Sequence, residues 1–382
     1  MQFKEIKVNE NIKRAIKAGR QVFSTNLIKK IDGKMGDLVK ILHGSSFVAW
    51  ATINPLDPYH YLRILSYNEN YELIDDLKTK IKESKKFRKR IGYENHFRLI
   101  YSESDFVSGL IIDKYNDIYV LQNVNPFFDK NIEIVKESII ENEGKNITIY
   151  EKSIGKNREI ARLIPLERFI YGEKYKTVIK ECNKEFLVNV IVGQKTGWFL
   201  DQRENRKILS SLSATRVLDV FSYSGSLGIC INADERIFVE KNKNAIELLK
   251  KNLEINKIEN FYIYEDNAYN VLKNLKKEKN KYDVVILDPP DLLSDGYKKG
   301  IKNISIINSI AVDLIDEGFL ITFSCSQDLK EDKFLSIIKN IIRRKNKKFE
   351  IVKKFGQSMD HKIIHKHKEL EYLKGFLIEI KN

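Results

Sequence analysis

The feature that most constrains this chain is a series of short, near-continuous apolar runs between residues 216 and 323. They read R-V-L-D-V-F (216–221), R-I-F-V-E (236–240), F-Y-I-Y-E-D (261–266), Y-D-V-V-I-L-D (282–288) and G-F-L-I-T-F (318–323). Helical segments separate several of them. Strands covered on both faces lose the polar alternation of half-exposed ones, so the pattern predicts a parallel sheet with helices on each side, the doubly wound α/β class. Such sheets bind ligands beyond the carboxyl ends of their strands. The candidate site is therefore sought in the residues that close each run.

A chain of 382 residues exceeds what one hydrophobic core serves, so further domains are expected. Residues 1–70 carry short strand-like runs punctuated by Gly33, Gly36, Gly44, Pro55 and Pro58, which predicts a small all-β barrel. From Tyr71 the spacing of Ile74, Leu77 and Ile81 turns helical, and residues 71–180 read as a connecting helix and a central α+β domain. Within it, the runs around Asn116-Asp117 predict paired strands, and Ile132, Val135 and Ile139 mark a helix. A hairpin is expected over E-C-N-K-E-F-L-V-N-V-I-V, and residues 181–382 form the α/β domain.

No signal-like apolar segment and no 18-residue apolar run occurs, so a cytoplasmic protein without a membrane span is expected. Three unpatterned cysteines, Cys182, Cys230 and Cys325, give neither a metal spacing nor a disulfide framework, and no metal is expected. Cys182, within the hairpin, and Cys230, after the glycine loop, are read as core residues. The formal charge of +14 points to a polyanionic partner. Residues 1–90 hold 19 Lys/Arg against 10 Asp/Glu, a net of +9. The run K-K-F-R-K-R offers Lys85, Lys86, Arg88, Lys89 and Arg90 as candidate phosphate contacts. The run R343-R-K-N-K-K348 reads as a solvated helix end.

The loop V-F-S-Y-S-G-S-L-G (220–228) ends one run and opens a helix. Candidate cofactor contacts are Asp219, Phe221, Tyr223 and Gly225 here, and Glu240, Asp266, Asn267 and Asp288 at the ends of the next runs. Glu240 is placed for two ribose hydroxyls and Glu265-Asp266 for an adenine amino group. Acids closing successive strands suit a cofactor with a ribose, an adenine and a cationic head. They suit a triphosphate poorly, since no phosphate loop with Lys-Ser/Thr is present. S-adenosyl-L-methionine fits that description.

Four blocks make the pattern specific: G-Q-K-T-G-W-F-L-D-Q-R-E-N-R (193–206), V-L-D-V-F-S-Y-S-G (217–225), V-I-L-D-P-P (285–290) and T-F-S-C-S (322–326), with G-Q-S-M-D-H (356–361) and E-Y-L-K-G-F-L (371–377) behind them. In these the chain resembles the RlmI-type S-adenosylmethionine-dependent methyltransferases, which modify C5 of a cytosine in large-subunit ribosomal RNA. The resemblance covers nearly the whole chain. It implies an N-terminal PUA-like RNA-binding barrel, a middle α+β domain, a Rossmann-like methyltransferase domain and a homodimer. It also places Gln202 and Arg203, with Lys195, at the cofactor. Departures are Ser226 where a second glycine is usual, Gly19-Arg20-Gln21-Val22-Phe23 without the usual tryptophan, and Lys362 in place of proline. Ser226 is acceptable if its backbone avoids positive φ.

Cytosine C5 is a poor nucleophile until another nucleophile adds at C6, and a cysteine thiolate suits that task. Cys325, just past an apolar strand, is the expected nucleophile. Asp288 is placed to bond the cytosine ring, and Asp360 and His361 are candidates for the base. The target base would have to be unpaired or flipped out. Asp291 stands after D-P-P where amino-directed enzymes often carry an aromatic, which disfavours exocyclic methylation. Uracil C5, a guanine position and a non-catalytic ribosome-assembly role remain the alternatives. Arg206 reads as a helix-surface ion pair with Glu204 or its neighbours.

Overall fold

The computed structural model describes residues 3–367 and 370–382. They divide into two compact units that interleave along the chain. The first comprises residues 1–177, 189–198 and 359–370, and the second comprises 178–188, 199–358 and 371–382. Segments 189–198 and 359–370, expected within the α/β domain, thus belong to the first unit.

Two five-stranded sheets form the first unit. Strands β1 (Lys4–Lys7), β2 (Val22–Phe23), β3 (Leu38–His43), β4 (Ser46–Ile53) and β5 (Leu62–Ser66) lie in the order β1-β3-β4-β5-β2. The sequence predicts an all-β barrel here; among the described residues the strand order pairs no β1 with β2, and Glu10–Lys17 is a helix, capped by the Asn9 side chain, which accepts from the Ile12 N–H. The second sheet takes β6 (His96–Tyr101), β7 (Leu110–Tyr115), β8 (Ile118–Asn123), β9 (Thr148–Ser153) and β10 (Leu166–Tyr171) in the order β10-β9-β8-β7-β6. The helices Leu73–Arg90 and Ile132–Glu143 pack on it, sending Leu77, Ile81, Val135 and Ile139 into one buried cluster. The expected Asn116-Asp117 turn joins β7 to β8, with Asn116 at φ +56°.

In the second unit, β11 (Lys176–Glu181) and β12 (Lys184–Asn189) make the expected hairpin. Its two-residue turn is Cys182-Asn183, both at positive φ, so Cys182 sits in the turn rather than in a strand. The main sheet takes β13 (Ser213–Val220), β14 (Asn232–Val239), β15 (Phe261–Tyr264), β16 (Val284–Leu287), β17 (Gly318–Ser324), β18 (Lys348–Gly356) and β19 (Lys374–Lys381). Its order is β15-β14-β13-β16-β17-β19-β18. The five strands read from apolar runs are mutually parallel; β19 alone runs antiparallel, between β17 and the outermost strand β18. Helices cover both faces, as the buried clusters on either side show. Chain order reverses between β13 and β16, the position where such sheets open a crevice.

Candidate active site

Register fixes what meets at the carboxyl edge. Val220 lies beside both Val239 and Leu287, Val239 beside Tyr264, and Leu287 beside Thr322. The residues just beyond are Asp266, Glu240, Phe221, Asp288 and Cys325, read across β15, β14, β13, β16 and β17. Neighbouring strands stand about 4.8 Å apart. Five residues singled out from the sequence therefore line one edge.

The loop after β13 is strained. Phe221, Tyr223 and Gly225 have φ of +63°, +49° and +80°, and such conformations in side-chain-bearing residues cluster at ligand sites. Ser226 is the first residue of the next helix and is not at positive φ, which answers the departure noted above. A Cβ on Gly228 would lie 2.9 Å from Asp219 Oδ2 and from Phe238 Cε1, so helix and strand approach through a bare backbone. The Gly228 N–H donates to Asp219 Oδ2 at 2.9 Å, while Asp219 Oδ1 and the buried Ser222 and Ser224 hydroxyls find no partner among the described residues. Burial pushes the Asp219 carboxyl up to about 7; the Gly228 bond opposes this, and the Asp288 and Glu240 charges add to it.

Glu240 is half-buried. It accepts the Tyr223 N–H at 2.9 Å and the Lys241 and Asn242 N–H groups at 2.8 Å, so the acid ties its own strand end to the loop of β13. Asp266 is exposed, and Asn267 caps the helix Ala268–Lys277 through the Tyr269 N–H. Gln202 is buried; its Nε2 donates to Asp288 Oδ2 at 3.0 Å and its Oε1 accepts from Asn205 at 2.6 Å. Arg203 lies within 4.0 Å of Glu181. Arg206 is a correction: it is fully buried, donating to Glu181 Oε2 at 2.5 Å and to the Phe199 carbonyl at 2.9 Å, and is no helix-surface pair.

Cys325 follows the last residue of β17 and is partly exposed. Lys374, opposite Ser324 in the antiparallel register, anchors this turn by donating to the carbonyls of Ser326 and Leu329. Burial lowers the Lys374 ammonium, and the nearby Cys325 thiol and the acids Glu371, Asp291 and Glu331 work against that. A cation held beside a thiol favours the thiolate. Sequence reasoning missed Lys374, because nothing in E-Y-L-K-G-F-L marks one lysine as buried.

Other predicted residues lie in the first unit. Asp360 is fully buried: its Oδ2 accepts the Arg98 N–H at 2.7 Å and its Oδ1 bonds His361 Nδ1 at 2.7 Å, while the imidazole stands 5.2 Å from the Tyr101 ring. The structure thus joins the two base candidates to each other in one unit and Cys325 with Asp288 in the other. Lys195 is exposed, at φ +50°, in the same first unit. Arg88 is the second correction. It is fully buried, forking onto Asp105 at 2.7 and 2.6 Å, and so offers phosphate no contact. Lys85 pairs with Glu143 at 2.9 Å, whereas Lys86, Lys89 and Arg90 are exposed as expected. Cys230 is buried, and the neighbouring Cys182 and Cys230 thiols act on each other, which lowers the Cys182 thiol and, with burial, raises that of Cys230.

A family model described as "Conserved hypothetical protein 95" matches residues 204–354, most of the main sheet. A protein of Methanocaldococcus jannaschii, provisionally named a ribosomal RNA large subunit methyltransferase, is 36% identical over 84% of this chain and 82% of its own. Ribosomal RNA large subunit methyltransferase I of Aeromonas salmonicida is 31% identical over 74% of each chain. The chain belongs to the ribosomal RNA large subunit methyltransferase I family. A solved structure from Streptococcus mutans, provisionally named a S-adenosylmethionine-dependent methyltransferase, shares the fold over 98% of this chain and 99% of its own. Its TM-score is 0.82 at 19% identity. None of the described helices is long and apolar enough to cross a membrane.

Proposed function

We propose that this chain methylates C5 of a cytosine in large-subunit ribosomal RNA, with S-adenosylmethionine as donor and Cys325 as covalent nucleophile. The observation that carries the reading is the shared edge: Cys325 and Asp288 close adjacent parallel strands, beside the loop and acid that suit the donor. The unpartnered Asp219 Oδ1 and the Ser222 and Ser224 hydroxyls fit a polar ligand, because buried polar atoms without partners cost about 1–3 kcal/mol each. Glu240 would hold the ribose hydroxyls, Asp266 the adenine amino group, and the 221–225 loop the body of the molecule. The bound donor supplies an electrophilic methyl group.

The protein's own part begins with the thiolate of Cys325, which adds to C6 of the cytosine and turns C5 into the nucleophilic end of an enamine. Lys374 supports that thiolate. Asp288, held by Gln202, accepts a hydrogen bond from a protonated N3, which favours that form of the ring and makes C6 more electrophilic. Once C5 carries the methyl group, loss of the C5 proton to solvent expels Cys325 and restores the aromatic ring.

The test is methylation of unmodified large-subunit RNA followed by nucleoside analysis. Wild type yields 5-methylcytidine, and Cys325→Ala slows its formation by on the order of 10⁴-fold or more while S-adenosylmethionine binding is kept. Cys325→Ala acting at the wild-type rate would remove the nucleophile from the reading. A mark on another base would remove the cytosine.

A further inference from the structure

The first unit holds a cavity of about 460 Å³, between the end of β5, the helix Leu73–Arg90, the turn after β6 and Lys362. Two aromatic rings stand at it. Tyr67 and Phe106 are 42% and 44% exposed, and their rings meet edge to face at 6.4 Å and 77°. A large exposed ring is a poor choice for a surface turn, and Phe106 adds backbone strain, since its φ is +58°. Strain held in place at an exposed aromatic points to a use for that ring.

The lining behind the rings is polar and rigid. Asp105 is locked by the Arg88 fork and by Ser84 and Lys362. Asp76 takes the Ser66 hydroxyl at 3.3 Å and the Lys80 ammonium at 2.7 Å. Burial raises the Asp76 carboxyl, with Lys80 opposing. Glu83 is the exposed acid at the cavity, on the same helix that carries the exposed Lys86 and, in its last turn, Lys89 and Arg90. Aromatic faces, an open carboxylate and a nearby cationic helix end together match an unstacked base and its backbone: rings to stack on, an acceptor for an amino group, lysines for phosphate.

We propose that this cavity takes one unpaired, amino-bearing nucleobase of single-stranded RNA, stacked on Phe106 with its edge against Tyr67. The proposal rests on the RNA-directed reading above and adds a second contact point to it, remote in sequence from Cys325. It is tested by binding of fluorescent oligo(C) and oligo(U) hexaribonucleotides to the full chain. Phe106→Ala and Tyr67→Ala should each weaken oligo(C) binding by roughly 5- to 100-fold, the range expected for one lost stack, and Phe106→Trp should restore it. Alanine at φ +58° keeps a Cβ in the same conformation, so Phe106→Ala leaves the turn's strain as it was; circular dichroism checks both folds. Oligo(C) binding to both alanine variants at wild-type strength overturns the site. Oligo(U) binding as tightly as oligo(C) overturns the amino-group part. The two readings fail separately. If Phe106 governs hexamer binding but wild type leaves large-subunit RNA unmethylated, the function falls and the cavity stands; if methylation proceeds and the aromatic variants bind normally, the reverse holds.

Discussion

In the first unit Arg88 forks onto Asp105, Arg98 onto Asp113, and Arg63 meets Glu103, which also accepts from Ser108. Thr196 and Tyr115 extend the Asp113 group, and the Asp360–His361 pair closes on the Arg98 backbone. In the second unit, the edge of the main sheet leaves Asp219 Oδ1, Ser222, Ser224 and Thr322 without partners among the described residues and bends its backbone at Phe221 and Tyr223. Both regions bury polar groups. The difference teaches where each cost is met: a closed network satisfies its members within the fold and fixes a scaffold, while an open one waits for a ligand to complete it.

Breaking the closed side should produce the largest change in stability. Arg88→Ala removes the bidentate partner of buried Asp105 and leaves Lys362 as its counter-charge, and removing one partner of such a pair costs about 3–5 kcal/mol. Burial alone would raise the Asp105 carboxyl; the Arg88 charge and hydrogen bonds, with Lys362, more than offset this and hold it below the usual range. Urea unfolding should show the loss. An unchanged midpoint would mean that the network is not what holds this unit.

On the open side the sign reverses. Asp219 binds a proton more tightly folded than unfolded, up to about 7 against 3.8. Its contribution to stability is therefore full below the unfolded value and is lost as pH rises through the window from about 4 to 7. Asp219→Asn carries no such loss. Without ligand, the variant should gain on wild type across that window, by about 1.4 kcal/mol per pH unit at most. Thermal unfolding at pH 5 and pH 8 measures it, and a variant less stable than wild type at pH 8 would contradict the open-edge view. Gly228→Ala should have the smallest effect, about 1–3 kcal/mol, because its Cβ presses on Asp219 and Phe238. Its cofactor affinity should fall with it in a titration.

The sheet was legible in the sequence because strands covered on both faces leave an unbroken apolar record, and its edge because acids close those runs. Strand β18 was not, since Lys348–Gly356 is a sheet edge whose side chains are mostly exposed and whose alternation breaks at the irregularity between Ile351 and Lys353. The helix Glu10–Lys17 does carry a stripe, with Ile12, Ala15 and Ile16 at helical spacing behind the Asn9 cap, but at eight residues it is too short to stand out among the strand-like runs around it. For Arg88 a signal existed: Leu73, Leu77, Ile81, Ser84 and Arg88 form one helical stripe, so position alone placed it inward. Its charge hid this, because the partner Asp105 lies in a different element. Lys374 and the Glu181–Arg206 pair depend on strand register and long-range contact that no local pattern records. The interleaving of the two units, with 359–370 returning to the first, is likewise a tertiary fact.

The central claim, covalent attack by Cys325 at cytosine C6, is tested most directly with large-subunit RNA transcribed with 5-fluorocytidine. Fluorine at C5 cannot leave as the proton does, so the adduct persists once the methyl group has been transferred. The account predicts a protein–RNA species that forms only with S-adenosylmethionine present, maps by peptide mass to Cys325, and is absent from Cys325→Ala. A wild-type chain that methylates normal RNA yet forms no adduct, or an adduct at Cys182 or Cys230, would contradict it.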